Sequence, residues 1–187
     1  MIYPQKINSK KSDKIIYSLI IVSIIIAIVL FIINKLTTPQ THWSALANCG
    51  IIYTWLTVMY SIKRGTNIAG HVLIQTILIS IVMLYIDKTI GFLGWSIYIG
   101  IPIALIVANV TMVILTIISY KKYIKYAIYQ LMIVILSLMP IILSIKKVIQ
   151  MKVLMRTAVD ISVISLVISL VFCYKDIKEA IIRKIHM

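Results

Sequence analysis

Residues 15–33 read IIYSLIIVSIIIAIVLFII, a run that contains no charged residue. An α-helix rises about 1.5 Å per residue, so a helix of this length approaches the roughly 30 Å thickness of a bilayer's hydrocarbon core. Outer-membrane strands instead alternate apolar and polar residues over about ten positions. A signal peptide is disfavoured because its apolar region spans only about 7 to 15 residues. The run therefore predicts a membrane-spanning helix.

Five further apolar runs follow along the chain. Their approximate bounds are Trp43–Ile62, Ala69–Ile86, Ser96–Ser119, Ala127–Ile145 and Thr157–Tyr174. Helices satisfy their own backbone groups in lipid, so the prediction is an all-α fold, a polytopic transmembrane bundle of about six helices. We expect residues 1–14 to be a basic cytoplasmic tail, 15–174 the six-helix domain, and 175–187 an amphipathic cytoplasmic tail.

The amino-acid composition also indicates a membrane protein. Of the 187 residues 61% are hydrophobic and 13% are charged, and the mean hydropathy is +1.06. Soluble domains are roughly 45 to 50% apolar. A soluble fold of this size would lack the polar side chains needed to cover its surface. Lipid is therefore the expected solvent and the first expected partner.

The charge balance is strongly basic, with 19 Lys and Arg against 5 Asp and Glu. In a soluble protein this would suggest nucleic acid. Here the cations form short clusters between apolar runs, which is typical of topology signals, so no nucleic-acid partner is predicted. Their distribution favours both termini in the cytoplasm. The abundance of Ile and Lys hints at an AT-rich genome, hence a bacterial cytoplasmic membrane.

One basic segment departs from this orientation. Lys146, Lys147, Lys152 and Arg156 fall in the last outer connection, mixed with apolar residues. This segment could lie at headgroup level, extend the flanking helices, or belong to a re-entrant hairpin.

Asp160 is the acid that the sequence places within a span. An ionisable group in lipid is by default a functional candidate. Arg156 precedes it by four residues, so a structural ion pair on one helical face is the favoured interpretation. Asp87 and Lys88, at the outer end of the third helix, are interpreted as ordinary loop residues.

Uncharged amide side chains occur in four spans. They are Asn48, Gln75, Asn109 and Gln130. We expect them to form hydrogen bonds between helices, and the alternative is that they line a polar pathway or a lipid pocket. The last helix also carries a narrow face of small residues that would allow close helix approach: Ala158, Ser162, Ser165, Ser169 and Cys173.

No metal site or cofactor is predicted. Cys49 and Cys173 fall near opposite membrane faces and are expected to be free thiols. No pair among the histidines and cysteines has the spacing of metal ligands.

Several short stretches resemble a family of uncharacterised bacterial multi-pass membrane proteins. They are Tyr53–Thr57, Tyr60–Arg64, Asn67–Ala69, Gly94–Ser96, Tyr129–Leu131 and Pro140. The resemblance extends from Trp43 to the C-terminus and implies a membrane architecture without an assigned activity. Many members begin with a cysteine-rich zinc ribbon, and this sequence has no cysteine before Cys49.

These observations favour a non-enzymatic membrane protein that acts through helix packing with lipid, with itself or with a partner protein. An accessory subunit or an immunity protein against a membrane-active toxin would fit. The alternative is a small transporter or channel that uses Asp160 and the intramembrane amides.

Overall fold

A computed structural model describes the backbone over residues 9–64, 67–118 and 123–185, and the side chains over 14–62, 67–118 and 127–171. Within these ranges every regular element is helical, which confirms the all-α prediction. The helices are α1 (Ser9–Thr37), α2 (Trp43–Arg64), α3 (Ile68–Thr89), α4 (Ile101–Ile118), α5 (Tyr123–Ile145) and α6 (Val153–Ile185). A π-helical turn, Ser96–Gly100, leads directly into α4. All six helices contain a stretch long and apolar enough to cross a membrane.

Helices α1 and α6 are longer than the apolar runs that predicted them. Helix α1 begins at Ser9, within the basic tail expected for residues 1–14. Helix α6 continues to Ile185, so its backbone passes without a break into the segment expected to be a separate tail. Charged residues outside hydrocarbon do not interrupt a helix, and the apolar length therefore underestimates the helical length.

The segment 146–156 divides into two parts. Residues 146–152 form a non-helical connection after α5 ends at Ile145, and α6 already includes Val153–Arg156. Helical extension therefore occurs on the α6 side of the segment only.

The described chain separates into two compact units. The first extends to Leu56 and holds α1 with the first part of α2, and the second begins at Thr57. In the second unit α4 contacts α3, α5 and α6, and α6 packs mainly against α4 and α5. Ala69 and Ala108 are buried in its core. Small side chains at these positions let α3 and α4 approach closely.

The α1–α2 connection is organised by Asn34, which is 5% exposed. Its Nδ2 donates to the backbone oxygens of Thr38 at 2.7 Å and Thr41 at 2.8 Å. Its Oδ1 accepts from the backbone N–H and the hydroxyl of Ser44, at 3.1 and 2.7 Å. One amide thus satisfies polar groups of the turn and the first turn of the next helix.

The α3–α4 connection is organised by Asp87, and here the interpretation as a loop residue is wrong. Asp87 is 0% exposed. Its carboxylate accepts from the backbone N–H groups of Gly94 at 3.2 Å and Ser96 at 3.3 Å, and from the Ser96 hydroxyl at 2.7 Å. The carboxylate therefore caps the start of the following helix, where the unpaired N–H groups and the helix dipole favour a negative charge.

The backbone of the same connection is closed by a C-terminal helix cap. Phe92 N–H donates to Asp87 O at 2.7 Å, and Gly91 has a φ of 108°. A left-handed residue at this position is what such a cap requires, and glycine adopts it with least strain. Both the main chain and the side chain of Asp87 are thereby used in the turn.

The π-helical turn follows at once. Ile101 N–H bonds to Ser96 O, five residues back. Pro102 has no N–H and cannot make the regular helical bond to Tyr98 O. The wider turn places Gly100 against α3, where an added Cβ would lie 2.6 Å from Met83 Sδ.

Replacing Asp87 with Ala is expected to lower the free energy of unfolding by about 2 kcal/mol or more, because buried N–H groups lose a charged acceptor. Chemical unfolding in detergent micelles measures the change. Lys88→Ala is the matched control, since Lys88 is the exposed neighbour, and its effect should stay within about 0.5 kcal/mol. Equal effects of the two substitutions would contradict the capping role.

Candidate functional site

Asn109, Gln130 and Ser165 meet in the core of the second unit, one from each of α4, α5 and α6. Their exposed fractions are 0%, 2% and 1%. Gln130 Nε2 donates to the Ser165 hydroxyl at 2.8 Å and to Ser165 O at 3.0 Å. The Ser165 hydroxyl donates to Asn109 Oδ1 at 3.2 Å. A continuous chain of hydrogen bonds therefore joins the three helices.

Two further hydroxyls complete this buried network. Asn109 Nδ2 donates to the Ser137 hydroxyl of α5 at 2.9 Å and to Leu105 O of its own helix at 2.9 Å. Thr116 of α4 donates to Met112 O at 2.8 Å and makes a longer contact of 3.4 Å with Gln130 Oε1. The buried amide network is defined as Asn109, Thr116, Gln130, Ser137 and Ser165.

The buried amide network has the chemistry of a hydrogen-bonded contact between helices. Its members are amides and hydroxyls, which carry no charge and do not titrate near neutral pH. Each amide nitrogen and oxygen in it has a partner. A hydrogen-bonded network in a low-dielectric interior specifies how the helices pack.

The small face predicted on α6 is confirmed within the described side chains. Ala158, Ser162, Ser165 and Ser169 are all buried. The hydroxyls of Ser162 and Ser169 donate to carbonyls of their own helix, Val159 O and Ser165 O. Because these side chains are small and bond within α6, α4 and α5 can pack closely against this face. The side chain of Cys173, the last predicted member, lies outside the described residues.

The other two predicted amides lie elsewhere. Gln75 Nε2 donates to the Thr57 hydroxyl of α2 at 3.0 Å. Asn48, in the first unit, donates from Nδ2 to Ala27 O of α1 at 3.4 Å, and its buried Oδ1 has no partner there. Each of these amides therefore joins one pair of helices, and the four amides do not converge on a single site.

Asp160 and Arg156 lie on the exposed surface of α6. The two side chains form no ion pair, so the predicted pairing does not occur. A helix turns about 100° per residue, which places Asp160 roughly 140° around α6 from Ser165. Asp160 thus lies far from the buried amide network, among exposed apolar residues such as Val163 and Ile164.

A smaller polar cluster lies at the N-terminus of α3. Asn67 Oδ1 accepts from Gly70 N–H at 3.0 Å as an N-cap, and its Nδ2 donates to the Tyr129 hydroxyl at 2.7 Å. The His71 ring meets the Tyr60 ring edge-on, with centroids 4.8 Å apart. Among the described residues no group of three His, Cys, Asp or Glu could hold a metal ion, and Cys49 is a free thiol.

Comparison with protein families matches the chain to a family of unknown function (DUF6320), whose model covers residues 3–187. The chain belongs to this family. The match begins before the stretch that the sequence resemblance covered, so DUF6320 includes α1 as well as the later helices. No curated protein and no solved structure matches the chain.

Sequence reasoning missed the two residues that organise the helix connections of this DUF6320 chain. Asn34 and Asp87 are each followed by Lys, and each bonds to a serine that follows a tryptophan, in Trp43-Ser44 and Trp95-Ser96. The recurrence of an Asn or Asp, then Lys, then Trp-Ser is the signal that could have revealed them. It marks two helix connections in which an Asn or Asp side chain accepts a hydrogen bond from the hydroxyl of a serine near the start of the next helix.

Replacing Ser165 with Ala should lower the free energy of unfolding by about 1 to 2 kcal/mol, because the hydroxyl links Gln130 to Asn109 across two helix interfaces. Unfolding in micelles provides the measurement. The control is Thr54→Ala, which removes an exposed hydroxyl bonded only within its own helix, to Gly50 O. A Ser165 variant as stable as the control would show that the network does not hold the helices together.

Proposed function

We propose that this protein is a non-enzymatic integral membrane protein that acts through packing of its helices with lipid and with partner proteins. The proposal rests on where polar and apolar side chains lie. Amide side chains are buried in the core, and many large apolar side chains are exposed on the surface. In the second unit the buried side chains include Asn109 and Gln130, whereas Ile164, Val167 and Leu170 of α6 are 53 to 60% exposed. Large exposed apolar surfaces mark contact with a membrane or with other proteins.

The non-enzymatic part of the proposal is supported by the positions of the acids. Among side chains that the structure describes, the carboxylates are Asp87 and Asp160. Asp87 is fully engaged in capping the α3–α4 connection, and Asp160 bonds to no described residue. Catalysis by a pair of carboxylates needs two such groups acting on one substrate, and these two are not bonded to each other.

For its location we propose the cytoplasmic membrane of a bacterium, with both termini in the cytoplasm. The excess of Lys and Arg on the side of the termini supports this orientation. An accessory subunit of a membrane complex, or an immunity protein that occupies the target of a membrane-active toxin, fits a chain of six membrane-length helices.

Thiol labelling tests both the insertion and the orientation. In a Cys49→Ser, Cys173→Ser background, Lys152→Cys should react with a membrane-impermeant maleimide on intact cells. Lys11→Cys should react only after permeabilisation, because the bilayer shields the cytoplasmic side. The parent without cysteines controls for background. Labelling of Lys152→Cys only in permeabilised cells would contradict six crossings, and release of the protein by alkaline carbonate would contradict insertion.

A second candidate function, transport, is favoured by one observation. Asp160 is a carboxylate within the membrane-length stretch Val153–Val171, and no described residue neutralises it. A charge in such a position is costly and is commonly functional.

Asp160→Asn separates the two functions, because the amide cannot carry charge. If the protein is not a transporter, three samples should show the same ion and proton flux. They are vesicles with the Asp160→Asn variant, vesicles with the unsubstituted protein and protein-free vesicles. Arg156→Gln is the matched control on the same helix face. Flux that the unsubstituted protein supports and Asp160→Asn abolishes would establish transport.

A further inference from the structure

An apolar cavity of about 370 Å³ lies within the second unit. It is surrounded by residues 76–84 of α3, the π-helical turn with the N-terminal half of α4, the C-terminal half of α5 and the first turn of α6. Thr76 and Ser80 are the hydroxyl-bearing residues in its lining, and both donate to carbonyls of their own helix. The cavity therefore presents almost no free polar group, and its volume is within the range of ligand sites.

Part of the cavity lining is exposed at the surface of α3 and α5. The lining residues Ile81 and Leu84 of α3 are 56% and 38% exposed, and Met139 of α5 is 51% exposed. Pro140 and Pro102 form part of its inner wall and are buried. In a bilayer this exposed part of the lining would face hydrocarbon, so an alkyl chain could enter without crossing water.

A cluster of cations lies at the same end of the unit. The α5–α6 connection carries Lys146, Lys147 and Lys152, all exposed, and the same connection supplies Ile149 to the cavity lining. Lys152 Nζ lies 4.0 Å from the centroid of the Tyr98 ring, next to the lining residue Ile97. No acid occurs between Lys146 and Asp160 to balance these charges.

Lys147 occupies a position where glycine would be less strained. It has a φ of 56°. Its N–H donates to Ser144 O at 2.9 Å, and Val148 N–H donates to Leu143 O at 3.0 Å. These bonds define the left-handed residue of a helix C-cap, which is usually glycine. A lysine here has a backbone cost that a glycine would not have.

We propose that the cavity holds an acyl chain of one anionic phospholipid, whose phosphate lies against Lys146, Lys147 and Lys152. The inference rests on the proposed membrane location and names the lipid class. The lining is apolar and cannot hold a free anion, so the anion must carry an alkyl chain. The three lysines beside the cavity would attract an anionic headgroup electrostatically, and a neutral apolar ligand would lack this contribution. Basic residues at headgroup level attract anionic lipids, and the apolar chain adds binding energy through burial.

Native mass spectrometry of the delipidated full chain in detergent tests the proposal. The probes are phosphatidylglycerol and phosphatidylcholine with the same acyl chains, added in equal amounts, and glycerol phosphate as the tail-free anion. One phosphatidylglycerol should bind in preference to phosphatidylcholine, and glycerol phosphate should not compete. Phosphatidylglycerol binding should weaken by at least about tenfold in the triple variant that carries Lys146→Gln, Lys147→Gly and Lys152→Gln. Lys35→Gln, an exposed cation of the first unit, is the control.

A second variant examines the cavity itself. Ser80→Phe fills the lining with an apolar side chain and removes only a bond within α3, so it should lower phosphatidylglycerol occupancy severalfold while the melting curve in detergent shows a folded chain. Lys147→Gly should fold at least as stably as the parent, because it relieves the left-handed backbone.

Three results would overturn the lipid site. They are equal binding of the two lipids, competition by glycerol phosphate, and unchanged phosphatidylglycerol binding by a folded Ser80→Phe variant. Unchanged binding by Ser80→Phe would show that the lysines of the α5–α6 connection bind the headgroup without a contribution from the cavity. None of them would alter the thiol labelling pattern or carbonate resistance, so failure of the lipid site is distinguishable from failure of the membrane proposal.

Discussion

The hydrogen bonds of Ser165 with Gln130 and Asn109 set the spacing of α4, α5 and α6. In hydrocarbon, apolar side chains gain little by touching one another instead of lipid, so association relies on close packing and on polar bonds. The small face of α6 supplies the close packing, and the buried amide network fixes which residues face each other. The core of the second unit and the cavity beside it both depend on this arrangement.

The helix connections follow a second rule, which is that polar backbone groups at helix ends need nearby partners. Asn34 and Asp87 each satisfy the start of the following helix, and each bonds to a serine after a tryptophan. The α5–α6 connection uses a main-chain cap at Lys147 instead. The α1–α2 and α3–α4 connections are therefore closed by buried side chains, and the α5–α6 connection exposes its cations.

Much of the fold was predictable because a helix that crosses a bilayer needs an apolar run whose length matches the hydrocarbon thickness. The same reasoning placed Asn109 and Gln130 between helices, since an amide in hydrocarbon must find a partner. It could not show that these two meet each other while Gln75 and Asn48 bond elsewhere, because rotation about each helix axis is set by packing. Asp87 was misread since its position at the end of a run resembles an exposed loop residue, and its burial depends on a turn that hydropathy does not describe.

The carboxylate of Asp87 has a consequence for synthesis of the chain. Its acceptor positions are filled by Gly94 and Ser96, which leave the ribosome after α3 is complete. Until then the end of α3 carries a charge that hydrocarbon rejects and water must solvate. The carboxylate at the end of the third helix therefore lacks its hydrogen-bond donors until the start of the fourth helix has been made.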